Sequence, residues 1–305
     1  MKSRRRRKRT MIAVIVIAAL LVVYIVLSVL GARQTSEIPR EPLEATADST
    51  GLEYENVSFI SRNDSNVLKG WYFPGDDDSV IVIVNGGFRN RVDDNSDTLG
   101  LTKALVKEGH SILLFDLRGR GESEGEGSNL NHIDEDIGGA VDYLENRGYT
   151  SNRICLMGFC SGAVQACIYA SRNSAGVLIL DGCFIDASTM VVRQAATIGT
   201  PKFISRMFLP GVFLMAKLIY GYEKVNPIDV IGDVQCPILF IHEENDEFTT
   251  REETERLYRT SSNPANEMWE VRDSEHSHAF RNYPEEYAGR ISGFIIEHSG
   301  GMQTD

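Results

Sequence analysis

Residues 154–166 read "ICLMGFCSGAVQA". An apolar run ends in Gly158-Phe159-Cys160-Ser161-Gly162 and continues into small, helix-compatible residues. That is a strand, a sharp turn and a helix. A turn of this kind lifts one side chain above the end of the strand. Glycines on either side remove the Cβ clashes it would cause. The spacing gives the lifted position to Cys160, with Ser161 one place later. The Ser161 amide then falls at a helix N-terminus, where it can donate to a developing oxyanion and favour a thiolate beside it. Ser161 as the nucleophile requires a turn shifted by one residue. A thiol used this way needs a base, and the base needs an orienting acid. Two later stretches carry such groups: "HEENDEF" (242–248), with four carboxylates, and "EHSHAF" (275–280), with two imidazoles.

The elements that must position these groups can be read from hydrophobic patterning. "NVSFIS" (56–61) and "NVLKGWYF" (66–73) pattern as paired strands. "SVIVIVN" (79–85) is a continuous β-branched run, as expected of a strand buried on both faces. Further strands are expected at 111–116, 153–158, 176–181, 236–242 and 267–272. Helices are expected near 95–108, 133–147, 161–172, 250–260 and 284–297. This alternation predicts an α/β fold, a doubly wound and mostly parallel sheet. One segment interrupts it. Residues 184–232 are rich in Met, Phe and Leu and too long for a simple connection. They are expected to form a helical cap after the sixth strand, over the strand ends, shaping an apolar pocket. Lys202, Arg206 and Lys217 interrupt this segment and Pro210-Gly211 is expected to split it, which argues against a membrane span there.

From about residue 52 to 298 the chain resembles an α/β-hydrolase, and is similar to the dienelactone-hydrolase and serine-aminopeptidase-like branches. The markers are "VNGGFRNR" (84–91), "LLFDLRGRGES" (113–123), "LMGFCSGA" (156–163), "LFIHEENDEF" (239–248) and "EHSHAF" (275–280), in order and each at a strand end. Dienelactone hydrolases, which the turn resembles, use Cys at this place. The resemblance implies Cys160 as nucleophile, Asp246 as acid and His276 as base, with His278 the alternative. It implies an oxyanion hole from the Ser161 amide and the loop after the third strand, with Gly87 as donor and Phe88 as alternative. That loop commonly reads His-Gly-x in the superfamily; here Asn85 replaces the His. Glu243 stands where the family often has Gly; it, Glu244 and Glu247 are expected to be solvated. Asp116 and Arg118 are expected to be structural, and Arg89 and Arg91 to be solvated loop arginines or contacts to a substrate carboxylate. His110 and His132 are assigned to loops, His242 to a strand end and His298 to the tail. The implied activity is hydrolysis of an ester, thioester or lactone through an acyl-enzyme. Acyl transfer on the same triad, or a silent fold that binds a ligand, are the alternatives. No cofactor and no metal are implied, and the partner is a small-molecule acyl substrate.

The N-terminus is a separate matter. "MKSRRRRKRT" (1–10) precedes residues 11–31, about twenty residues without a charge, the length a helix needs to cross a bilayer. Seven cations precede this run and only Arg33 and Arg40 follow closely. The charge asymmetry places a cytoplasmic tail at 1–10, a single-pass cell-membrane anchor at 11–31 and the hydrolase domain outside the cell. A cleavable signal peptide is the rival, but its apolar region is shorter, about 7–15 residues. Residues 32–56, polar and with two prolines, are expected to be a stalk, 57–298 the domain and 299–305 a tail. A nucleic-acid role is disfavoured. The total charge of −12, without the seven leading cations, leaves −19 for residues 10–305, which phosphate backbones repel. Cys155, Cys167, Cys183 and Cys236 lie in or beside apolar segments without metal-ligand spacing and are expected to be small core hydrophobes.

Overall fold

The computed structural model describes residues 2–126 and 133–299, so the expectations for His132 and for the tail beyond Ser299 lie outside the described residues. Eight strands follow one another as β1 (Glu55–Ile60), β2 (Val67–Phe73), β3 (Val80–Val84), β4 (Ser111–Phe115), β5 (Ile154–Phe159), β6 (Val177–Asp181), β7 (Ile238–Glu243) and β8 (Glu267–Val271). The helices are α1 (Lys2–Ser36), α2 (Thr98–Lys107), α3 (Ile133–Asn146), α4 (Ser161–Ala170), α5 (Ala187–Thr197), α6 (Lys202–Tyr220), α7 (Pro227–Val230), α8 (Arg251–Thr260), α9 (Ala279–Asn282) and α10 (Pro284–Ser299). The strands form one sheet in the order β1-β2-β4-β3-β5-β6-β7-β8. β2 is antiparallel to β1 and β4, and every pairing from β4 to β8 is parallel.

The β-branched run behaves as its composition demands. All five residues of β3 are buried. Val80, Val82 and Val84 pack with residues of α3, α4 and α8 on one face, and Ile81 and Ile83 with residues of α2 and α10 on the other. Alternate side chains of one strand thus serve two cores, which makes the sheet doubly wound.

Two expectations need correction. Residues 37–54 are not a free stalk. The Arg40 guanidinium donates to the carbonyls of Gly121, Ser123 and Gly125, and Ala47 is fully buried in the α2/α10 core. The apolar residues Leu43, Leu52 and Tyr54, spread among polar ones, hold this strap down. Nor does Pro210 split the long cap helix; α6 runs unbroken through it. The Tyr24 hydroxyl of α1 donates to Met207 O (3.4 Å) and accepts from Gly211 N (3.1 Å). It bridges the turn that the proline loosens. Among the described residues, α1 and α6 are the two helices long and apolar enough to cross a membrane.

Candidate active site

The turn after β5 holds Cys160 at φ 55° and ψ −121°, a conformation that costs a non-glycine residue on the order of 1–3 kcal/mol. The cost is met by packing. Cys160 N donates to Asp181 O of β6 (2.9 Å). A Cβ on Gly162 would lie 2.1 Å from Val84 O, so only glycine lets the first turn of α4 seat against β3. The first amides of α4 therefore point, without intrahelical acceptors, at the space beside the sulfur. Of the five cysteines, Cys160 alone is partly exposed and none is disulfide-bonded. Burial pushes the thiols of Cys155 and Cys236 up to about 12, and also raises those of Cys167 and Cys183 well above the ordinary thiol value.

The candidate acid and base lie in the loops after β7 and β8. His276 Nδ1 lies 2.7 Å from Asp246 Oδ2. Asp246 also accepts from the amides of Phe248 (2.7 Å) and Thr249 (3.0 Å) and from the Thr249 hydroxyl. Burial alone would raise the Asp246 carboxyl. The His276 contact and these donors outweigh it and hold it below its usual value. For His276, burial opposes the charged ring, but the Cys160 sulfur and Asp246 outweigh it, so the imidazolium is favoured well above the ordinary range. Among the described residues, His276 Nε2 has no hydrogen-bond partner. Phe248 and Phe184 wall the ring at centroid distances of 5.0 and 6.0 Å. Gly182 (φ 59°) is needed here, because a Cβ would sit 2.6 Å from His276 Cε1. His278 is elsewhere, 3.5 Å from Glu275.

The oxyanion side is less open than its sequence predicts. The Gly87 amide donates to Ser161 Oγ at 2.6 Å. Arg120, buried and lowered to about 10 by that burial, donates to Gly87 O at 2.7 Å. This positioning arginine was missed in the sequence, although it sits in the "LRGRGES" loop. Arg91 is no solvated arginine. It is buried, stacks 4.2 Å over Trp71 and pairs with Asp116 and Glu122. Arg89 lies 3.6 Å from Asp93 and 3.8 Å from Glu41. Asp116 and Arg118 are buried, the latter paired with Asp136 and Asp64. His110 is fully buried between the Ser79 and Ser292 hydroxyls.

Glu243 is the largest departure. It is the last residue of β7 and wholly buried, not solvated. Its Oε1 accepts from Ser277 N (3.0 Å) in the His276 loop, and its carboxyl meets that of Asp181. Asp181 in turn accepts from the Tyr287 hydroxyl (2.5 Å). Asp181 Oδ1 and Glu243 Oε2 have no N–H or O–H donor. Two such carboxyls can bond only if one keeps a proton. Burial and Asp181 push Glu243 well above its usual value, and burial raises Asp181 too. This dyad ties the β6 end, through Cys160 N, to the base loop, through Ser277 N. Glu243, Asp246 and His276 also place ligand-type atoms within 4.8 Å of one another. Hydrogen bonds within and around that group already engage His276 Nδ1 and both Asp246 oxygens.

Cys160, His276, Gly87 and Ser161 open on one cavity of about 280 Å³, walled by Phe88, Phe159, Phe184, Phe248 and, from α5, Met190, Gln194 and Thr197. It lies at the carboxyl ends of the parallel strands, where such sheets bind ligands. A larger recess of about 430 Å³ by Asp77, Tyr149 and Thr150 lies at the opposite ends and holds no cysteine or histidine.

Comparison with known proteins places the fold that carries these residues. The sequence profile of the alpha/beta hydrolase family matches residues 81–290. The chain belongs to the alpha/beta hydrolase family. Similar proteins include YqkD of Bacillus subtilis, 26% identical over 238 residues and 75% of each chain. YfhR of Salmonella typhimurium is 26% identical over 270 residues, 81% of this chain and 82% of its own. Among solved structures, the Pyrococcus furiosus esterase Pf2001 superposes with a TM-score of 0.71 at 22% identity, over 87% of this alpha/beta hydrolase and 98% of the esterase. Est1E from Butyrivibrio proteoclasticus, with ferulic acid bound, gives 0.59 at 15% identity, over 79% and 99%.

Proposed function

We propose that this alpha/beta hydrolase is a membrane-anchored enzyme that cleaves an ester, thioester or lactone through a Cys160–His276–Asp246 triad. The observation that carries the reading is the shared cavity. The strained cysteine and an imidazole fixed by a buried carboxylate face the same space. The Cys160 thiolate attacks the carbonyl carbon, and the oxygen that becomes negative is held by the Ser161 amide. His276 gives its proton to the leaving group as the C–O or C–S bond breaks, leaving a thioester on Cys160. Water then enters, His276 takes its proton, and the resulting hydroxide attacks the thioester. Carboxylic acid and thiolate are released. Asp246 keeps the imidazole in the required tautomer throughout. The basic residues at the start of α1 and the apolar run that follows them in it support an anchor with the domain outside the cell.

One observation favours a second reading. The Gly87 amide is already taken by Ser161 Oγ, which suits a silent fold that binds a ligand in the same cavity. A panel of activated esters, thioesters and lactones, given to the full chain in detergent, separates the two. Turnover of at least one substrate that is lost on thiol alkylation is the expected result. Binding without turnover across the panel supports the second reading.

A further inference from the structure

α6 pairs with α1 in a way that a packing helix of a soluble domain has no need to do. Contacts advance in the same direction along both helices. Tyr24 stacks on Phe208 at 5.1 Å, Gly31 meets Val212, and Glu37 accepts from the Tyr220 hydroxyl at 2.9 Å. A Cβ on Gly31 would come within 2.8 Å of Val212 Cγ2, the close approach that small residues permit between helices in membranes. α6 is therefore level with the C-terminal half of the apolar run of α1, not above it.

The opposite side of α6 faces nothing among the described residues. Phe203, Met207, Leu214 and Leu218 recur at helical spacing and form one stripe, each more than half exposed. Phe203 is 72% exposed, against a fully buried Leu101 in α2. Lys202, Arg206 and Lys217 lie along one edge of this stripe by the same helical count. No Asp or Glu occurs between Asp186 and Glu223, in a chain with 43 acidic residues. The apolar stripe matches the acyl layer of a phospholipid bilayer, and Lys217, near the Tyr220 end of α6 that meets Glu37 beyond the apolar run, matches its anionic headgroups. The stripe also continues the exposed apolar surface of α1.

We propose that α6 is embedded beside α1 in the same leaflet of an anionic phospholipid bilayer, and that the cavity takes its acyl substrate from that leaflet. The second half rests on the hydrolase reading above; the first half rests only on α1 as a span. The route is short. Thr197 lines the cavity, and the next residue, Ile198, is exposed at the start of the link to α6. An amphiphile with its chain in the leaflet would pass its carbonyl between α5 and Phe88 to Cys160. The substrate class is thus a long-chain acyl ester or thioester, not a small polar one.

Photolabelling tests the embedding without requiring activity. The full chain is reconstituted in vesicles of phosphatidylcholine and phosphatidylglycerol that carry an acyl-chain diazirine lipid. Adducts are then mapped by mass spectrometry. Adducts are expected on α1 and on the Phe203–Leu218 stripe, and lost from α6 but not α1 in F203E/L214E/L218E. Adducts confined to α1, or cross-links from α6 to a second copy in place of lipid adducts, would overturn the proposal. The same triple variant tests the route. Its turnover of a long-chain ester carried in the vesicles should fall about tenfold or more, with a water-soluble short ester unaffected. Equal loss on both esters, or on neither, would overturn the route while leaving the photolabelling result to stand alone. No turnover of either ester by the unaltered chain, with α6 labelled, would overturn the hydrolase reading and the route and leave the embedding intact.

Discussion

The two walls of the cavity are built by opposite means. On the strand side, backbone and side chains leave little freedom. Cys160 is held by the β6 carbonyl, Asp246 by four donors, His276 by Asp246 and two phenyl rings, and Gly87 by Ser161 and Arg120. On the cap side, Met190, Gln194 and Thr197 come from a helix with only Val192 buried. In the proposed reaction, the difference assigns the tasks. Chemistry that must be placed to a fraction of an ångström sits on the rigid wall. Selection among acyl groups falls to the looser, apolar wall, where repacking costs little. Substitutions on the first wall should change turnover, and those on the second the choice of substrate.

The largest effect should come from the base. His276→Ala should lower kcat on an activated ester by a factor on the order of 10²–10⁴, and His278→Ala should leave it within a few-fold. Steady-state kinetics on the two variants checks this, and the reverse ranking would move the base by two residues. Gly182→Ala comes next. The new Cβ meets the His276 ring in a backbone conformation that alanine disfavours, so a loss of about 1–3 kcal/mol in stability and a lowered kcat with KM unchanged are expected. Unaltered melting and turnover would show that the ring has room to move.

The third prediction concerns pH. Glu243 holds its proton more tightly in the folded state than in the unfolded one. Folded stability from this group is therefore full below the unfolded value of about 4.3 and is lost as pH rises from there toward the folded value. Glu243→Gln cannot lose a proton. Relative to the unaltered chain, its Tm should improve as pH rises above about 4.3, at no more than about 1.4 kcal/mol per pH unit. Parallel Tm curves would mean that Asp181 and Glu243 share no proton. The smallest effect is expected on the cap wall. Met190→Ala should shift chain-length preference in kcat/KM a few-fold, by about 1 kcal/mol per methylene accommodated, with the rate of Cys160 alkylation unchanged. A loss as large as that of His276→Ala would erase the distinction between the walls.

Much of the rigid wall was readable in advance because local rules set it. The β-branched run of β3 and the glycines around Cys160 follow from short stretches, while Asp246 and His276 were reached through the family resemblance. What was not readable depends on contacts distant in sequence. Glu243 sits beside Glu244 and near Glu247, both exposed, and only its place at the end of β7 turns it inward against Asp181. Arg120 looks like any loop arginine until Gly87 O is found beside it. Pro210 signals a break, and the hydroxyl that spans the loosened turn comes from Tyr24, far away in the chain. The strap at 37–54 is polar in composition, and a few scattered apolar residues decide its path.

The central claim is that Cys160 carries the acyl group, and intact-protein and peptide mass spectrometry tests it directly. The full chain is mixed with an activated ester, quenched in acid within the first turnovers and digested. The account predicts an acyl adduct on the peptide containing Cys160, localised to the sulfur, absent in Cys160→Ala and retained in Ser161→Ala. An adduct on the Ser161 oxygen, or turnover that survives in Cys160→Ala, would contradict it.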